Sequence, residues 1–126
     1  MLRIAVLGAT GRMGLAVTRI VAAASDTVLV GAVTEPGHPE IGRDAGELAG
    51  AGTLGVTVTD DATAALAGAD ISIDFTLPAA LAGNLDACRV AGTAMVIGTT
   101  GRDAGQIEVI SQASKEIPIL YGRNLS

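Results

Sequence analysis

Aromatic residues are almost missing from this 126-residue chain, which has one Phe, one Tyr and no Trp. A core must therefore be assembled from Val, Ile, Leu and Ala, the usual filling of a parallel sheet buried on both faces. A single cysteine, Cys88, excludes an internal disulfide. Its place on an apolar helix face suggests a plain buried thiol. No run approaches the ~18 apolar residues of a membrane span. The apolar start is broken early by Gly8, Thr10, Gly11 and Arg12, so it reads as a first strand, not a signal peptide, and the cytoplasm is the expected location. Lysine occurs once, at Lys115, and basic residues form no run. The net charge of −5, from 8 basic and 13 acidic residues, argues against a nucleic-acid partner. The one histidine, His38, lies in a Pro/Gly-rich loop away from the expected strand ends, where no catalytic role is expected. No His/Cys cluster has metal-ligand spacing, and no Ser/His/Asp set can be assembled.

What is present is hydrophobic residues at 49%, charged residues at only 17%, and 17 glycines. That composition excludes disorder, and the length suits one domain spanning residues 1–126. Short apolar runs at 2–7, 28–33, 56–58, 71–75, 94–97 and 117–121 read as strands. Helical periodicity intervenes, first through Met13, Val17, Ile20, Val21 and Ala24. Residues 35–53 are a loop by composition, with a helical turn near 45–48. Thr59 or Asp60 is placed to cap a helix reaching about Ala67, Pro78 suits a helix's first turn, and Asp103 opens a last helix ending near Glu116. The alternation predicts an α/β fold of Rossmann type, a doubly wound parallel sheet of about six strands with helices on both faces. The chain stops at Ser126 directly after a strand, as a fragment of a longer protein would.

Four segments carry chemistry. Gly8-Ala9-Thr10-Gly11-Arg12-Met13-Gly14 joins a strand to a helix, the context in which a glycine loop presents a helix N-terminus to a pyrophosphate. Otherwise these glycines serve only helix–strand packing. Glu35 ends the second strand, about 20 residues beyond the loop, where dinucleotide-binding folds place the acid that accepts the ribose hydroxyls. It is otherwise a plain loop carboxylate. A carboxylate there repels a 2′-phosphate, and Pro36 stands where an Arg would offset it. The pattern thus favours NADH over NADPH, with Arg12 still available to a 2′-phosphate. Asp74-Phe75-Thr76 ends the fourth strand, and the Phe75 ring either touches a cofactor or lies in the core. Gly98-Thr99-Thr100-Gly101 follows the fifth strand, either a cradle for a carboxamide or carboxylate or a capped turn.

In order, GATGRMG, DFT, GTTG and the terminal Asn124-Leu125-Ser126 resemble the dihydrodipicolinate reductase family. Asp44-Ala45-Gly46-Glu47-Leu48 and Met95-Val96-Ile97 extend the likeness over nearly the whole chain. The resemblance implies that Gly8, Ala9, Thr10, Gly11, Arg12 and Met13 form the pyrophosphate loop and that Glu35 is the ribose acid. It implies that Gly98, Thr99, Thr100, Arg123, Asn124, Leu125 and Ser126 lie toward the nicotinamide, with Thr100 also near substrate; Phe75 and Thr76 are candidate cofactor contacts from their place at the carboxyl end of a strand. The implied reaction is hydride transfer from NAD(P)H to a cyclic dicarboxylate, giving tetrahydrodipicolinate in the lysine and diaminopimelate pathway. A substrate-binding and catalytic domain would follow the last motif, bringing the proton donor. The fragment alone is then expected to be inactive, and the whole protein a homotetramer. The chain departs from the family at Pro36, Leu77, Arg123 and Leu125. An atypical short-chain-type reductase shares the glycine loop but lacks GTTG, and a non-catalytic dinucleotide sensor would end naturally at Ser126.

Overall fold

The chain's first strand, β1 (Leu2–Leu7), explains most of the architecture. Its last four residues are buried. Ile4 and Val6 point into one apolar cluster and Ala5 and Leu7 into another, so both faces of the strand must be covered. In this computed structural model, which describes residues 1–98 and 104–121, β1 lies near the middle of a six-stranded sheet. The other strands are β2 (Thr27–Val33), β3 (Val58–Thr59), β4 (Ile71–Asp74), β5 (Ala94–Ile97) and β6 (Ile119–Tyr121). Their order is β3-β2-β1-β4-β5-β6 and every pairing is parallel. This is the expected doubly wound sheet.

Two helix layers follow from the two clusters. Helices α1 (Arg12–Ala23) and α2 (Ala45–Ala49) cover Ile4, Val6, Leu29, Ala32 and Val58. Helices α3 (Ala62–Leu66), α4 (Leu81–Ala91) and α5 (Ala104–Ala113) cover Ala5, Leu7, Val33, Met95 and Ile97. Cys88 is wholly buried in this second layer, where its Sγ lies 3.3 Å from Ser72 Oγ. Burial pushes the thiol's pKa up, which makes it inert.

The chain turns from building leftward to building rightward between β1's neighbours β2 and β4. A crevice must open beyond the carboxyl ends of β1 and β4 at such a switch point, because the connections leave in opposite directions.

Several local expectations change. The buried stripe of α1 is Gly14, Thr18 and Val21, whereas Met13 and Ile20 are exposed. The helix is rotated so that Gly14 faces the Gly8 carbonyl, where a Cβ would have no room. The cap of α3 is Asp61, which accepts the Ala64 N–H at 3.1 Å, and Thr59 Oγ1 instead accepts the Asp61 N–H. Val56 lies outside β3, since Thr57, between it and the strand, is drawn into an antiparallel bridge with Asp44. Pro78 opens a 3₁₀ turn, and α4 begins only at Leu81. β4 ends at Asp74 and β6 begins at Ile119, both shorter than the apolar runs that signal them.

Candidate functional site

The glycine loop does three separate jobs. Gly8 has φ +87°, a left-handed conformation, and a Cβ there would approach the Phe75 carbonyl to 3.1 Å. It therefore makes the tight turn while lying against the end of β4. Gly11 is the N-cap of α1 and has no side chain to satisfy the helix's first N–H groups. Gly14 lets the helix seat on the strand. The N–H groups of Gly8 and Ala9 are already given to the Val33 carbonyl, at 2.8 and 2.9 Å. Those of Arg12 and Met13 lie in the first helical turn, which has no internal acceptor. An uncapped start of a twelve-residue helix presents free donors and the positive end of its dipole, an arrangement that could hold an anion.

These groups open into a cleft of about 520 Å³ at the switch point. Gly8, Thr10 and Gly11 form its floor, Thr34 and Glu35 one wall, and Phe75, Thr76 and Asn84 the other. Thr10 Oγ1 and Thr34 Oγ1 are 2.7 Å apart, tying the loop to the end of β2 just before the exposed Glu35. Ala9 is itself buried in the core, while Arg12 and Met13 stand exposed at the helix start. Among the described residues Arg12 has no ion-pair partner.

The opposite wall is held by polar contacts. Asp74, wholly buried, accepts from the Thr76 N–H at 2.7 Å and from Thr76 Oγ1 at 2.6 Å through Oδ1. Asn84 Nδ2 donates to Asp74 Oδ2 at 3.3 Å and to Thr76 Oγ1 at 3.1 Å. The Phe75 ring fills the space where a Gly98 side chain would stand. So Phe75 is both a cleft wall and the reason for a glycine at 98. Thr99, Thr100, Arg123, Asn124, Leu125 and Ser126 lie outside the described residues.

Sequence reasoning missed Asp60, Asn84 and, above all, His38, which lines the cleft instead of lying apart from it. A signal was available. Pro36 fixes its own φ near −65°, Gly37 takes φ +80°, and the His38 N–H donates to the Glu35 carbonyl at 3.3 Å. That is a type II turn, which brings its first and fourth residues side by side. Glu35 and His38 are those two residues. No comparable pattern announces Asp60 or Asn84.

A parallel sheet of this order, a glycine loop at an uncapped helix start, and an acid across the cleft define a Rossmann-type dinucleotide-binding domain. Solved structures agree on the fold. Myo-inositol 2-dehydrogenase from Lactobacillus plantarum superposes with a TM-score of 0.67 at 19% identity, over 96% of this chain and 36% of its own. An NAD binding oxidoreductase from Klebsiella pneumoniae gives 0.64 at 16%, over 96% and 34%. The family profile "Dihydrodipicolinate reductase, N-terminus" matches residues 2–125, and the chain belongs to that family. It is 52% identical to a 4-hydroxy-tetrahydrodipicolinate reductase of Alkalilimnicola ehrlichii, over 98% of this chain and 46% of the relative. It is 47% identical to one from Pseudomonas fluorescens, over 100% and 47%. The chain thus spans about half the length of these relatives.

Proposed function

We propose that this chain is the nicotinamide-dinucleotide-binding half of a 4-hydroxy-tetrahydrodipicolinate reductase, with NADH favoured over NADPH. The observation that carries this reading is one cleft with an uncapped α1 N-terminus on its floor and Glu35 on its wall. When bound, the nucleotide would supply the hydride for reduction of a cyclic dicarboxylate in lysine and diaminopimelate synthesis. The chain's own residues do the positioning. The N–H groups of Arg12 and Met13, with the helix dipole behind them, hold the pyrophosphate. Glu35 accepts from the ribose hydroxyls. Phe75 and Thr76 line the cleft toward the nicotinamide, and the family resemblance assigns Gly98, Thr99, Thr100 and the segment Arg123-Asn124-Leu125-Ser126 to the same end of the nucleotide, with Thr100 also assigned to the substrate. Holding the reacting ring in one place is itself a large part of such catalysis.

Two acids favour NADH. Asp60 lines the cleft together with Glu35, and both repel a 2′-phosphate at close range. The proton donor and the substrate's carboxylate ligands belong to the remainder of the protein, which would work as a homotetramer in the cytoplasm. Residues 1–126 would be one dinucleotide-binding domain, inactive alone.

Calorimetric titration with NADH and NADPH tests the reading. NADH binds more tightly, and Glu35→Ala weakens it by about tenfold, the loss of a charge-assisted hydrogen-bonding group. A folded protein that binds neither nucleotide would refute it.

A further inference from the structure

Two hydroxyls in the cleft lining, those of Thr10 and Thr34, are joined to each other. Their oxygens lie 2.7 Å apart, and among the described residues neither side chain has a second hydrogen-bond partner. Each hydroxyl carries one proton, and only one of the two can lie between the oxygens. The other must leave the pair. Burial decides which. Thr34 is 6% exposed, whereas Thr10 is only half-buried. A buried donor without an acceptor is rarer, and so costlier, than an oxygen with an unfilled lone pair. Thr34 therefore donates to Thr10, and the proton left over is that of Thr10. The cleft that both residues line is where it meets an acceptor. Thr34 is itself fixed from the sheet. Its N–H donates to the Thr59 carbonyl at 2.9 Å, and the carbonyl of the preceding Val33 accepts from Gly8 and Ala9. Its β-branched side chain also has few rotamers to choose from.

We propose that Thr34 is a positioning residue for the pyrophosphate: by donating to Thr10 Oγ1 it turns the Thr10 proton toward a phosphate oxygen. The proposal rests on the dinucleotide reading of the cleft. An ionised phosphate oxygen accepts and does not donate, so it suits a pair whose surplus group is a donor. Thr10 stands next to Gly11, the N-cap of α1, so its hydroxyl adds to the free N–H groups of the helix start. A hydroxyl that accepts one hydrogen bond is also a stronger donor in the next. This role accounts for a hydroxyl at the end of β2, directly after the apolar run Val30-Gly31-Ala32-Val33. Neighbouring residues at that strand end then serve different parts of the nucleotide, Thr34 the phosphate through Thr10 and Glu35 the ribose.

The test is a double-mutant cycle read by calorimetric titration with NADH. Thr34→Ser and Thr34→Ala differ from each other only in the hydroxyl, so their comparison isolates it from the lost methyl. Each is measured with Thr10 intact and combined with Thr10→Ala, and urea melts establish that every variant is folded. With Thr10 intact, Thr34→Ala binds NADH about fivefold more weakly than Thr34→Ser, the net loss of one hydrogen bond. Combined with Thr10→Ala, the two bind within about twofold of each other, because the group through which Thr34 acts is gone. Wild type against Thr34→Val repeats the comparison with the γ-methyl kept, and the same dependence on Thr10 is expected. A fivefold difference that persists without the Thr10 hydroxyl would overturn the proposal, since Thr34 would then act on the nucleotide directly or through the fold. Equal binding by Thr34→Ser and Thr34→Ala with Thr10 intact would overturn it as well, while leaving the dinucleotide site standing. Failure of the folded wild type to bind NADH would instead overturn the site itself.

Discussion

The two halves of the sheet are built differently. On the β1–β2–β3 side, α1 and α2 cover one face and α3 packs on the other, and Ala5, Val6, Leu7 and Ala32 are wholly buried. On the β4–β5–β6 side the described helices cover one face only. Ser72, Asp74, Met95 and Ile97 are buried beneath them, whereas Ile71, Ile73, Ala94 and Val96 are half-buried and Leu120 is 62% exposed. The cleft straddles the two halves. Its glycine-loop side is positioned by backbone packed on backbone, its other wall by the Asp74–Thr76–Asn84 hydrogen bonds. Close packing tolerates no added atom, while a polar network tolerates shape change but not loss of a partner.

The largest effect that follows is at Gly14. A methyl there would run into the Gly8 carbonyl, so Gly14→Ala costs about 3 kcal/mol. It should also displace the loop enough to abolish nucleotide binding, as read by denaturant melts and calorimetry. A variant of wild-type stability would break the claim that packing positions this wall. The next test compares faces of one strand. Ile97→Ala should cost about 3 kcal/mol and Val96→Ala about 1, since only Ile97 loses a full shell of neighbours. Equal losses in urea melts would mean that both faces of β5 are covered. Removing a partner from the polar wall comes third. Asn84→Ala leaves the buried Asp74 Oδ2 short of a donor and should cost about 2 kcal/mol. Nucleotide affinity should fall with it, even though Asn84 belongs to no glycine motif.

The smallest effect concerns acid. The Leu54 N–H, with those of Glu47, Gly55 and Gly46, holds the Asp44 carboxyl below its ordinary range. The Arg3 guanidinium does the same for Asp70, which joins the two halves at the foot of β1 and β4. A depressed folded pKa contributes stability above the unfolded value of about 4, and that stability disappears as the pH falls through the lower folded value. Thermal melts from pH 5 to pH 2 should therefore decline more shallowly in Asp44→Asn than in the wild type. Parallel declines would remove Asp44 from the account.

The sheet was legible because buried parallel strands leave short apolar runs, and all six are recovered with at most two residues' error at an end. β3 was harder, since Val56 is apolar without being in the strand. The glycine loop was legible because its setting, strand then helix, is local in sequence. The face of α1 was not, for Met13 and Ile20 fit the period while the small Gly14 and the hydroxyl of Thr18 are what the helix buries. Thr18 Oγ1 satisfies itself on the Gly14 carbonyl at 2.8 Å, which a hydropathy pattern cannot show. His38 and Asn84 were missed for another reason. One depends on a turn reversing direction, the other on α4 crossing back over the end of β4.

The most direct test of the central claim, that both halves of the sheet end in one dinucleotide cleft, is to follow backbone amide resonances while NADH is added. The account predicts concerted shifts at Thr10, Gly11, Arg12 and Met13, at Glu35 and His38, and at Phe75 and Thr76. Shifts confined to the groove between α4 and α5, around Arg89 and Gln112, would contradict it.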